Sequence, residues 1–244
     1  MGSVAVFENP KAFCRAAAMA LGGDRPGGDG VTSHVSSEFD PFLNQAFVED
    51  DGDPAEAVRR LAGRPGFVWM ASEPTADTQR RMEHEGFVLT SFTAMEAGGD
   101  EVDARGDPAL VPIRARGEVM AWHAVYSEVL GPDPRSVRDW LRLYDALGPA
   151  GDASLGLWLL AANGAPAATA ALFIDGHTAG LYCFATRERF RRRGLASALV
   201  AVCLRHAHQH GATRCVLQAS ATGRPVYALA GFEHVESVPV FVRR

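Results

Sequence analysis

The sequence predicts a mixed α/β fold, in which a twisted and mostly antiparallel sheet is flanked by helices. Three apolar runs of strand length follow one another in the second half of the chain, separated by Asn-Gly and Asp-Gly dipeptides that favour tight hairpins. The runs are 156–163, 167–175 and 179–186. Apolar residues at helical spacing then extend from Gly194 to about His210, and Gly211 is the predicted end of that helix. Strands and helices therefore occur within one unit.

The segments on either side of these runs extend the pattern. Before them, residues 111–115 predict a short strand, and apolar residues at helical spacing predict two helices, around 120–130 and 137–144. After them, residues 214–220, 224–230 and 234–243 predict a strand, a short helix and a last strand. The predicted order of the second half is β, α, α, β, β, β, α, β, α, β.

The composition is that of a globular protein of one or two domains. The chain has 244 residues, of which 47% are hydrophobic and 22% charged, so it can bury a sizeable core. Its 24 Lys and Arg stand against 29 Asp and Glu, a net charge of −5. This balance gives no overall attraction for nucleic acid or an anionic membrane surface, so we expect neither as a partner.

Charge and composition both change near residue 106. Residues 1–106 hold 9 basic and 18 acidic side chains, whereas residues 107–244 hold 15 and 11. The stretch 96–109 is rich in Gly and Asp and has almost no apolar periodicity, as expected of a linker. We therefore predict two domains, 1–105 and 106–244, and expect any anionic ligand to bind the second.

Cysteine usage and the start of the chain favour a reducing compartment. Cys14, Cys183, Cys203 and Cys215 lie in apolar stretches without C-x-x-C spacing, which argues against a zinc site or a disulfide framework. The first residues lack the charged and apolar regions of a secretory signal, and no apolar stretch reaches transmembrane length. We expect a cytoplasmic protein.

A short repeat relates the two halves. Residues 68–72 followed by Gly86-Phe87 parallel residues 216–220 followed by Gly231-Phe232, and a strand is expected after each Gly-Phe pair. Ancient duplication and coincidence both explain this match, since strand, helix, Gly, strand is a common local order.

The segment 189–200 carries the clearest signal for a ligand. It joins the end of a predicted strand to the start of a predicted helix through the sequence R-R-R-G-L-A at 191–196. Unpaired N–H groups and the dipole at a helix N-terminus favour an anion, and small residues at 194 and 196 let a phosphate approach the main chain. The alternative is a solvated basic turn that only caps the helix, and R-x-x-G-x-A alone does not decide between the two.

With its surroundings, this loop resembles the pyrophosphate loop of the GCN5-related N-acetyltransferase (GNAT) family. Tyr227 follows Ala196 by 31 residues, within a Y-x-x-x-G-F ending, and one helix and one strand lie between them. The resemblance covers about residues 107–244 and implies the acyl-CoA N-acyltransferase type of fold. The more common family pattern has Gly where this chain has Ala196, which is also small.

The resemblance implies acetyl-CoA as the acyl donor. The main-chain groups that would pair with the pantetheine arm are those of Phe184, Ala185 and Thr186. The N–H groups that would hold the pyrophosphate are those of Arg191, Arg192, Arg193, Gly194, Leu195 and Ala196, with Ser197 beside them. Ser220 occupies a position where relatives often contact the pantetheine, and it can equally cap the next helix.

The resemblance also implies direct attack of a neutral amine on the thioester. Tyr227 corresponds to the family's general acid, and a phenol of pKa about 10 can donate to a departing thiolate. The structural alternative is a core tyrosine packed under the Gly-Phe turn. The usual position of the general base holds Tyr182 instead of a carboxylate. His123, Glu128 and His177 are possible substitutes, as are a water chain and an amine that arrives neutral.

The first half lacks the corresponding features. An acidic run, 49–53, stands where a phosphate loop is expected, and Met82 aligns with Tyr227. If this half is GNAT-like, it is a degenerate domain without cofactor or acid. We expect it to wall the acceptor site, with acidic side chains that attract a cationic amine.

His206, His208 and His210 have a spacing that resembles a metal cluster. A helix C-terminus favours histidines in any case, so no metal site is predicted.

The sequence therefore predicts an N-acetyltransferase that acts on a primary amine of a small-molecule acceptor in a ternary complex. A longer acyl-CoA donor, a hydroxyl acceptor, and a non-catalytic acyl-CoA-binding or regulatory module are the alternatives. Both a monomer and a homodimer are compatible with the sequence.

Overall fold

The computed structural model describes residues 3–23, 27–98, 112–149, 151 and 153–243, with side chains from residue 7 onward. Its helices are α1 (Ser3–Leu21), α2 (Pro54–Leu61), α3 (Ala76–His84), α4 (Arg116–Leu130), α5 (Val137–Leu147), α6 (Leu195–Gln209) and α7 (Arg224–Leu229). Its strands are β1 (Gly27–Gly28), β2 (Val31–Val35), β3 (Asn44–Val48), β4 (Gly66–Met70), β5 (Val88–Gly98), β6 (Leu155–Ala162), β7 (Ala165–Asp175), β8 (Thr178–Thr186), β9 (Arg214–Ala219) and β10 (Glu233–Arg243).

The ten strands form one open sheet in the order β1-β2-β3-β4-β10-β5-β9-β8-β7-β6. Two neighbouring pairs, β3 with β4 and β8 with β9, are parallel, and the others are antiparallel. β6, β7 and β8 form the predicted meander, with turns at Asn163-Gly164 and Asp175-Gly176. The predicted fold class, a mostly antiparallel sheet flanked by helices, is confirmed.

The last strand of each half pairs with strands of the other half. β10 lies between β4 and β5, and β5 lies between β10 and β9. The β5–β10 pair runs from Glu96 opposite Glu233 to Val88 opposite Val242. The sheet order is consequently symmetric about this pair, with β4-α3-β5 in the first half corresponding to β9-α7-β10 in the second. This exchange makes both halves one continuous sheet and supports a duplication.

Helices cover both faces of the sheet. α1, α4 and α5 pack on one face, called here the α1 face, over a core that includes Phe13, Trp122 and Trp140. α6 and α7, with α2 and α3 on the first half, cover the opposite α6 face. Adjacent strand residues alternate between the two cores, as Val240 and Phe241 do. Within the described residues, no helix is long and apolar enough to span a bilayer.

The first predicted strand of the second half is wrong. Residues 112–115, the described part of that segment, form no strand, although the Ile113 N–H donates to β6 at 2.7 Å. The N–H groups of Arg114 and Ala115 donate instead to the Glu118 carboxylate, at 3.3 and 3.1 Å. Because these groups cap the start of α4, they cannot extend a strand ladder. The other helices and strands predicted for the second half are present.

The predicted linker at 96–109 begins inside a strand. Residues 96–98 belong to β5 and pair with β9. Residues 99–109 lie outside the described residues. The domain boundary predicted at 105–106 therefore falls between the two halves of a shared sheet.

Candidate active site

The parallel strands β8 and β9 separate part-way along their length. They pair only where Thr178–Gly180 meets Arg214–Val216. Beyond Gly180, β8 keeps β7 on one side, and no described strand pairs with its other side. This opening, called here the gap, leaves one edge of β8 free to pair with the amides of a ligand. Three predicted residues, Phe184, Ala185 and Thr186, lie along that edge.

A bulge at Cys183 shapes β8 beside the gap. Cys183 has a φ of 54°, and the register between β7 and β8 shifts there. The Thr169 hydroxyl donates to the Cys183 carbonyl at 3.1 Å and holds the bulge. Tyr182 and Cys183 consequently both belong to the core of the α1 face, whereas Phe184 packs on the α6 face. Sequence analysis missed this bulge, since neither glycine nor proline marks it.

The loop that enters α6 has the geometry of an anion site. Arg192 and Gly194 both adopt positive φ, 63° and 76°, immediately before α6 begins at Leu195. The N–H groups from Arg192 to Ser197 have no acceptor in the described part of the chain. Such unpaired N–H groups at a helix start favour a phosphate. The loop is exposed, so a ligand can reach these groups.

Arg191 departs from the prediction. Its N–H donates to the Glu188 carbonyl at 3.1 Å and is therefore not available to a phosphate. Its Nε donates to the Thr186 carbonyl at 3.2 Å, so the side chain ties the loop to the end of β8. The main-chain contact predicted for Arg191 is wrong, because that N–H closes the preceding 3-10 turn.

Guanidinium groups surround the loop. Those of Arg189 and Arg193 lie over the Phe190 ring, at 4.9 and 5.6 Å from its centroid. Arg191, Arg192 and Arg193 make no ion pair with any described residue. Their charge is therefore directed at the solvent and at any anion that binds the loop.

Tyr227 stands on α7 across the gap from β8. Its half-buried ring lies edge-on to Phe184 at 5.8 Å and to Phe232 at 6.0 Å between centroids. Burial raises the pKa of the phenol above its ordinary value, and the nearby Cys203 and Cys183 thiols add to this. The hydroxyl has no hydrogen-bond partner among the described residues. A protonated phenol with an unused O–H is suited to donating a proton.

Ser220 closes the turn between β9 and α7. Its hydroxyl accepts from the Gly223 N–H at 3.2 Å and lies 3.2 Å from the Thr222 hydroxyl. Its carbonyl also accepts from the N–H groups of Gly223 and Arg224 at 3.0 Å. These bonds close the turn before α7, whose N-cap is Gly223, so Ser220 is not itself the helix cap. The predicted pantetheine contact remains a proposal.

Tyr182 fills the position where a carboxylate base is expected. Its hydroxyl donates to the Asn9 amide oxygen at 2.6 Å, and its ring stacks on Phe13 at 5.3 Å. The ring tip lies over Gly180, where any Cβ would overlap Asn9 and Tyr182. Burial raises the pKa of this phenol. Tyr182 is therefore a packing residue that joins α1 to β8 and not a proton acceptor.

None of the three residues predicted as substitute general bases has a free group at the gap. His123 is buried and hydrogen-bonded to the Ser136 hydroxyl, 2.8 Å from its Nε2. Burial lowers the pKa of His123 to about 4. Glu128 forms an ion pair with Arg187 at 2.9 Å. His177 lies in the β7–β8 turn, and at about 3.3 Å per strand residue this turn is roughly 20 Å from Phe184.

The histidines near the end of α6 contact each other. The rings of His206 and His210 lie 4.0 Å apart, and His206 also packs edge-on to Trp158 at 5.1 Å. Burial and the neighbouring His210 lower the pKa of His206 to about 4. Throughout the described ranges, no three His, Cys, Asp or Glu side chains are grouped to hold a metal ion.

The first half has neither phosphate loop nor phenol at the equivalent positions. Asp53 caps α2, and its carboxylate accepts from the Ala55 N–H at 3.0 Å. Met82, which corresponds to Tyr227, is buried in the core between α3 and the sheet. An anion at this helix start would face Asp50, Asp51 and Asp53, so the site is unsuited to a pyrophosphate.

Comparison with known proteins identifies the second half. Residues 118–232 match the sequence model of the Acetyltransferase (GNAT) family. This range contains the gap, the loop before α6 and Tyr227. No curated protein sequence matches the chain.

Solved structures resemble the chain over both halves. One is a GCN5-related N-acetyltransferase from Kribbella flavida, with 18% identity and a TM-score of 0.64 over 96% of this chain and 95% of that one. Another is a putative GNAT-family acetyltransferase from Novosphingobium aromaticivorans, with 16% identity and a TM-score of 0.63 over 97% and 93%. A GCN5-related N-acetyltransferase-like protein from Streptococcus suis has 13% identity and a TM-score of 0.59 over 98% and 100%. At these identities the likeness establishes the fold.

Proposed function

Since residues 118–232 match the model of the Acetyltransferase (GNAT) family, we propose that the chain transfers an acetyl group from acetyl-CoA to a primary amine of a small-molecule acceptor. The gap between β8 and β9 carries this proposal. It has unpaired N–H groups at its mouth and the Tyr227 hydroxyl at its side. The family match supports acyl transfer in general. That the donor is acetyl-CoA and the acceptor an amine is our proposal.

The cofactor would run from the loop into the gap. The N–H groups of 192–197 and the guanidinium groups beside them suit the pyrophosphate. The free edge of β8 at Phe184–Thr186 suits the two amides of the pantetheine arm. The thioester would then lie between β8 and Tyr227, because these two elements flank the gap.

The reaction would be direct attack. The amine nitrogen attacks the thioester carbon, the C–N bond forms and the C–S bond breaks. The departing thiolate takes the proton of the Tyr227 hydroxyl. The acylated nitrogen then loses one proton to solvent to give the neutral amide, and the phenolate recovers a proton from solvent. Holding amine and thioester together makes a bimolecular step effectively unimolecular. Burial favours the protonated form of Tyr227, so its hydroxyl carries the proton to be donated at neutral pH.

We assign the cofactor site to the second domain, 106–244, and the acceptor wall to the first, 1–105. α1 lies against β8 through Asn9 and Phe13, on the face where Tyr182 and Cys183 project. β5 contributes Phe92 to the same face. The first domain thus covers the side of the gap opposite α6.

The first experiment is a calorimetric titration of the full chain with acetyl-CoA, followed by a thiol-release assay. The amine panel is 2-phenylethylamine, cadaverine, spermidine and glucosamine. We expect one equivalent of acetyl-CoA and turnover of at least one amine. Tyr227→Phe should lower kcat by about 100-fold with unchanged acetyl-CoA affinity, since general acid catalysis contributes on this scale.

Tyr144→Phe is the matched control. It also removes one phenolic hydroxyl, which donates to the Ile113 carbonyl away from the gap. Its kcat should equal that of the wild type. Acetyl-CoA binding without turnover of any amine, and no effect of Tyr227→Phe, would favour the non-catalytic binding module.

A further inference from the structure

Glu236 lies level with the gap on the α1 face of the sheet. It pairs with Ala94 of β5, and Ala94 pairs in turn with Gln218 of β9. Directly paired residues project from the same face, and Ala94 belongs to the core of the α1 face. Gln218 follows the last β9 residue that pairs with β8 by two positions. Glu236 and Gln218 therefore flank Ala94 in one row that ends at the gap.

The carboxylate of Glu236 has an unused acceptor. Its Oε1 is buried without a hydrogen-bond partner, although the residue as a whole is only half-buried. No ion pair of Glu236 occurs in the described part of the chain. A buried carboxylate oxygen without a hydrogen-bond donor is energetically costly. Such a group is suited to binding a cationic ligand, which would supply the missing partner.

A bulge in β10 aims Glu236 at this face. The register between β10 and β5 shifts between His234 and Glu236, so Val235 and Glu236 oppose one residue of β5. Val235 packs against the core of the α1 face, as half-buried Phe92 does. The residues next to Glu236 on this face include apolar Ala94 and Val238 as well as Gln218, and a partly apolar environment strengthens the interaction of a carboxylate with a cation.

The other charged groups on this part of the face are engaged or exposed. Glu96 lies one row further from the open end of the gap and forms an ion pair with Arg214, which lies in the row beyond it. Glu233 pairs with Glu96 in the sheet and is exposed to solvent. Across the gap on the same face lies Tyr182 of β8, whose hydroxyl donates to Asn9. Of the three described carboxylates in these rows, Glu96, Glu233 and Glu236, Glu236 is the one that is partly buried and makes no ion pair.

We propose that Glu236 contacts the acceptor amine and takes its proton before the attack on the thioester. This inference rests on the proposed acetyltransferase function. In the step, an N–H bond of the ammonium breaks, an O–H bond forms on Glu236, and the neutral amine keeps the electron pair that attacks the carbonyl carbon. Two strand spacings place the Cα atoms of Glu236 and Gln218 about 10 Å apart, and the small side chain of Ala94 lets Glu236 extend across it. The amine would lie between the carboxylate and the gap.

The test compares Glu236→Gln with the wild type from pH 6.5 to 9.5, using the amine of the panel that the wild type acetylates fastest. At pH 7 we expect kcat/KM of the variant to fall about 100-fold. The deficit should narrow as pH rises, because an alkyl amine of pKa about 10 then arrives increasingly neutral. A purely structural role would give the same deficit at every pH.

Glu233→Gln, on the same strand but exposed, is the matched control and should leave kcat/KM unchanged. Glu236→Asp keeps a carboxylate and should retain the pH dependence of the wild type with a smaller loss. Wild-type kcat/KM in Glu236→Gln, or a deficit that does not vary with pH, would overturn the inference while leaving the acetyltransferase proposal intact. Absence of turnover by the wild type with every amine would overturn both.

Discussion

The indole Nε1 of Trp140 donates to the carboxylate of Asp40 at 2.8 Å, across 100 residues of sequence. Asp40 belongs to the first half and Trp140 to α5 of the second. The Tyr126 hydroxyl donates to the same carboxylate at 3.0 Å, and the Phe42 N–H at 2.9 Å. Tyr126 also borders Cys183, the bulge residue of β8. A buried carboxylate of the first half is therefore connected, through one side chain, to the edge of the gap.

Asp40 makes the stability of the protein depend on pH. Burial raises the pKa of its carboxyl from 3.8 to about 6. The folded state thus binds a proton more tightly than the unfolded state, and its stability falls as pH rises from 4 to 6. At 1.36 kcal/mol per pKa unit, the free energy of unfolding of the wild type, relative to Asp40→Asn, should fall by about 2 kcal/mol between pH 4 and pH 7, because part of the effect lies below pH 4.

Urea unfolding of both proteins at several pH values checks this dependence. Asp133→Asn serves as the control, since a hydrogen bond from Arg135 lowers the pKa of Asp133 to about 2, outside the range examined. Its difference from the wild type should stay constant between pH 4 and 7. A constant difference for Asp40→Asn as well would show that this carboxyl titrates at its ordinary pKa in the folded protein.

Gly180 is expected to be intolerant of a side chain. A Cβ there would overlap the Asn9 amide oxygen and the Tyr182 hydroxyl, which are bonded to each other. Gly180→Ala should therefore lower the free energy of unfolding by about 1–3 kcal/mol, as overpacking does in cores. Gly117→Ala, on the surface of α4 with open space around it, should stabilise by up to about 1 kcal/mol. Equal stability of Gly180→Ala and the wild type would mean that α1 moves aside freely.

Local patterns in the sequence predicted the second half well. The Asn-Gly and Asp-Gly turns fix two hairpins, and helical spacing with Gly211 at its end defines α6. The loop at 191–196 was found because a helix start next to basic residues is a local property of the chain. Its chemistry depends on main-chain geometry that a few adjacent residues determine.

Local patterns could not predict pairings between distant segments of the chain. Nothing local distinguishes a strand that stays within its half from one that crosses, so the exchange of β5 and β10 was not predicted. The same holds for the bonds that join Asn9 to Tyr182 and Asp40 to Trp140, each between residues at least 100 positions apart. The sequence did not predict Glu236 as a site residue for the same reason, because its place beside the gap follows from strand register and not from sequence spacing.

The acidic run of the first half is expected not to influence cofactor binding. Asp50 and Asp51 are exposed beyond the end of β3, and five strand spacings of about 4.8 Å separate β3 from β8. At physiological salt the screening length is about 8 Å, roughly a third of that distance. Replacing both residues with Lys should leave the calorimetric affinity for acetyl-CoA unchanged within about twofold. A tenfold change would mean that the cofactor reaches the first domain.

Gly194 should be required for cofactor binding rather than for folding. Its φ of 76° is unfavourable for a side chain, by about 1–2 kcal/mol, although a Cβ would meet no protein atom within 4 Å. In Gly194→Ala the methyl group would occupy open space beside the loop, where the proposed pyrophosphate would approach the main chain. We expect the dissociation constant of acetyl-CoA to rise at least tenfold, measured by calorimetry.

Gly211→Ala separates the backbone cost from the effect on the ligand. Gly211 follows the other end of α6, has a φ of 84° and also has open space around it, so the substitution carries the same conformational cost far from the loop. Both variants should therefore lose similar stability to urea, and only Gly194→Ala should lose affinity for acetyl-CoA. Equal affinities for the two variants would show that the pyrophosphate does not lie on the N–H groups before α6, and the cofactor would then have to enter the gap from another side.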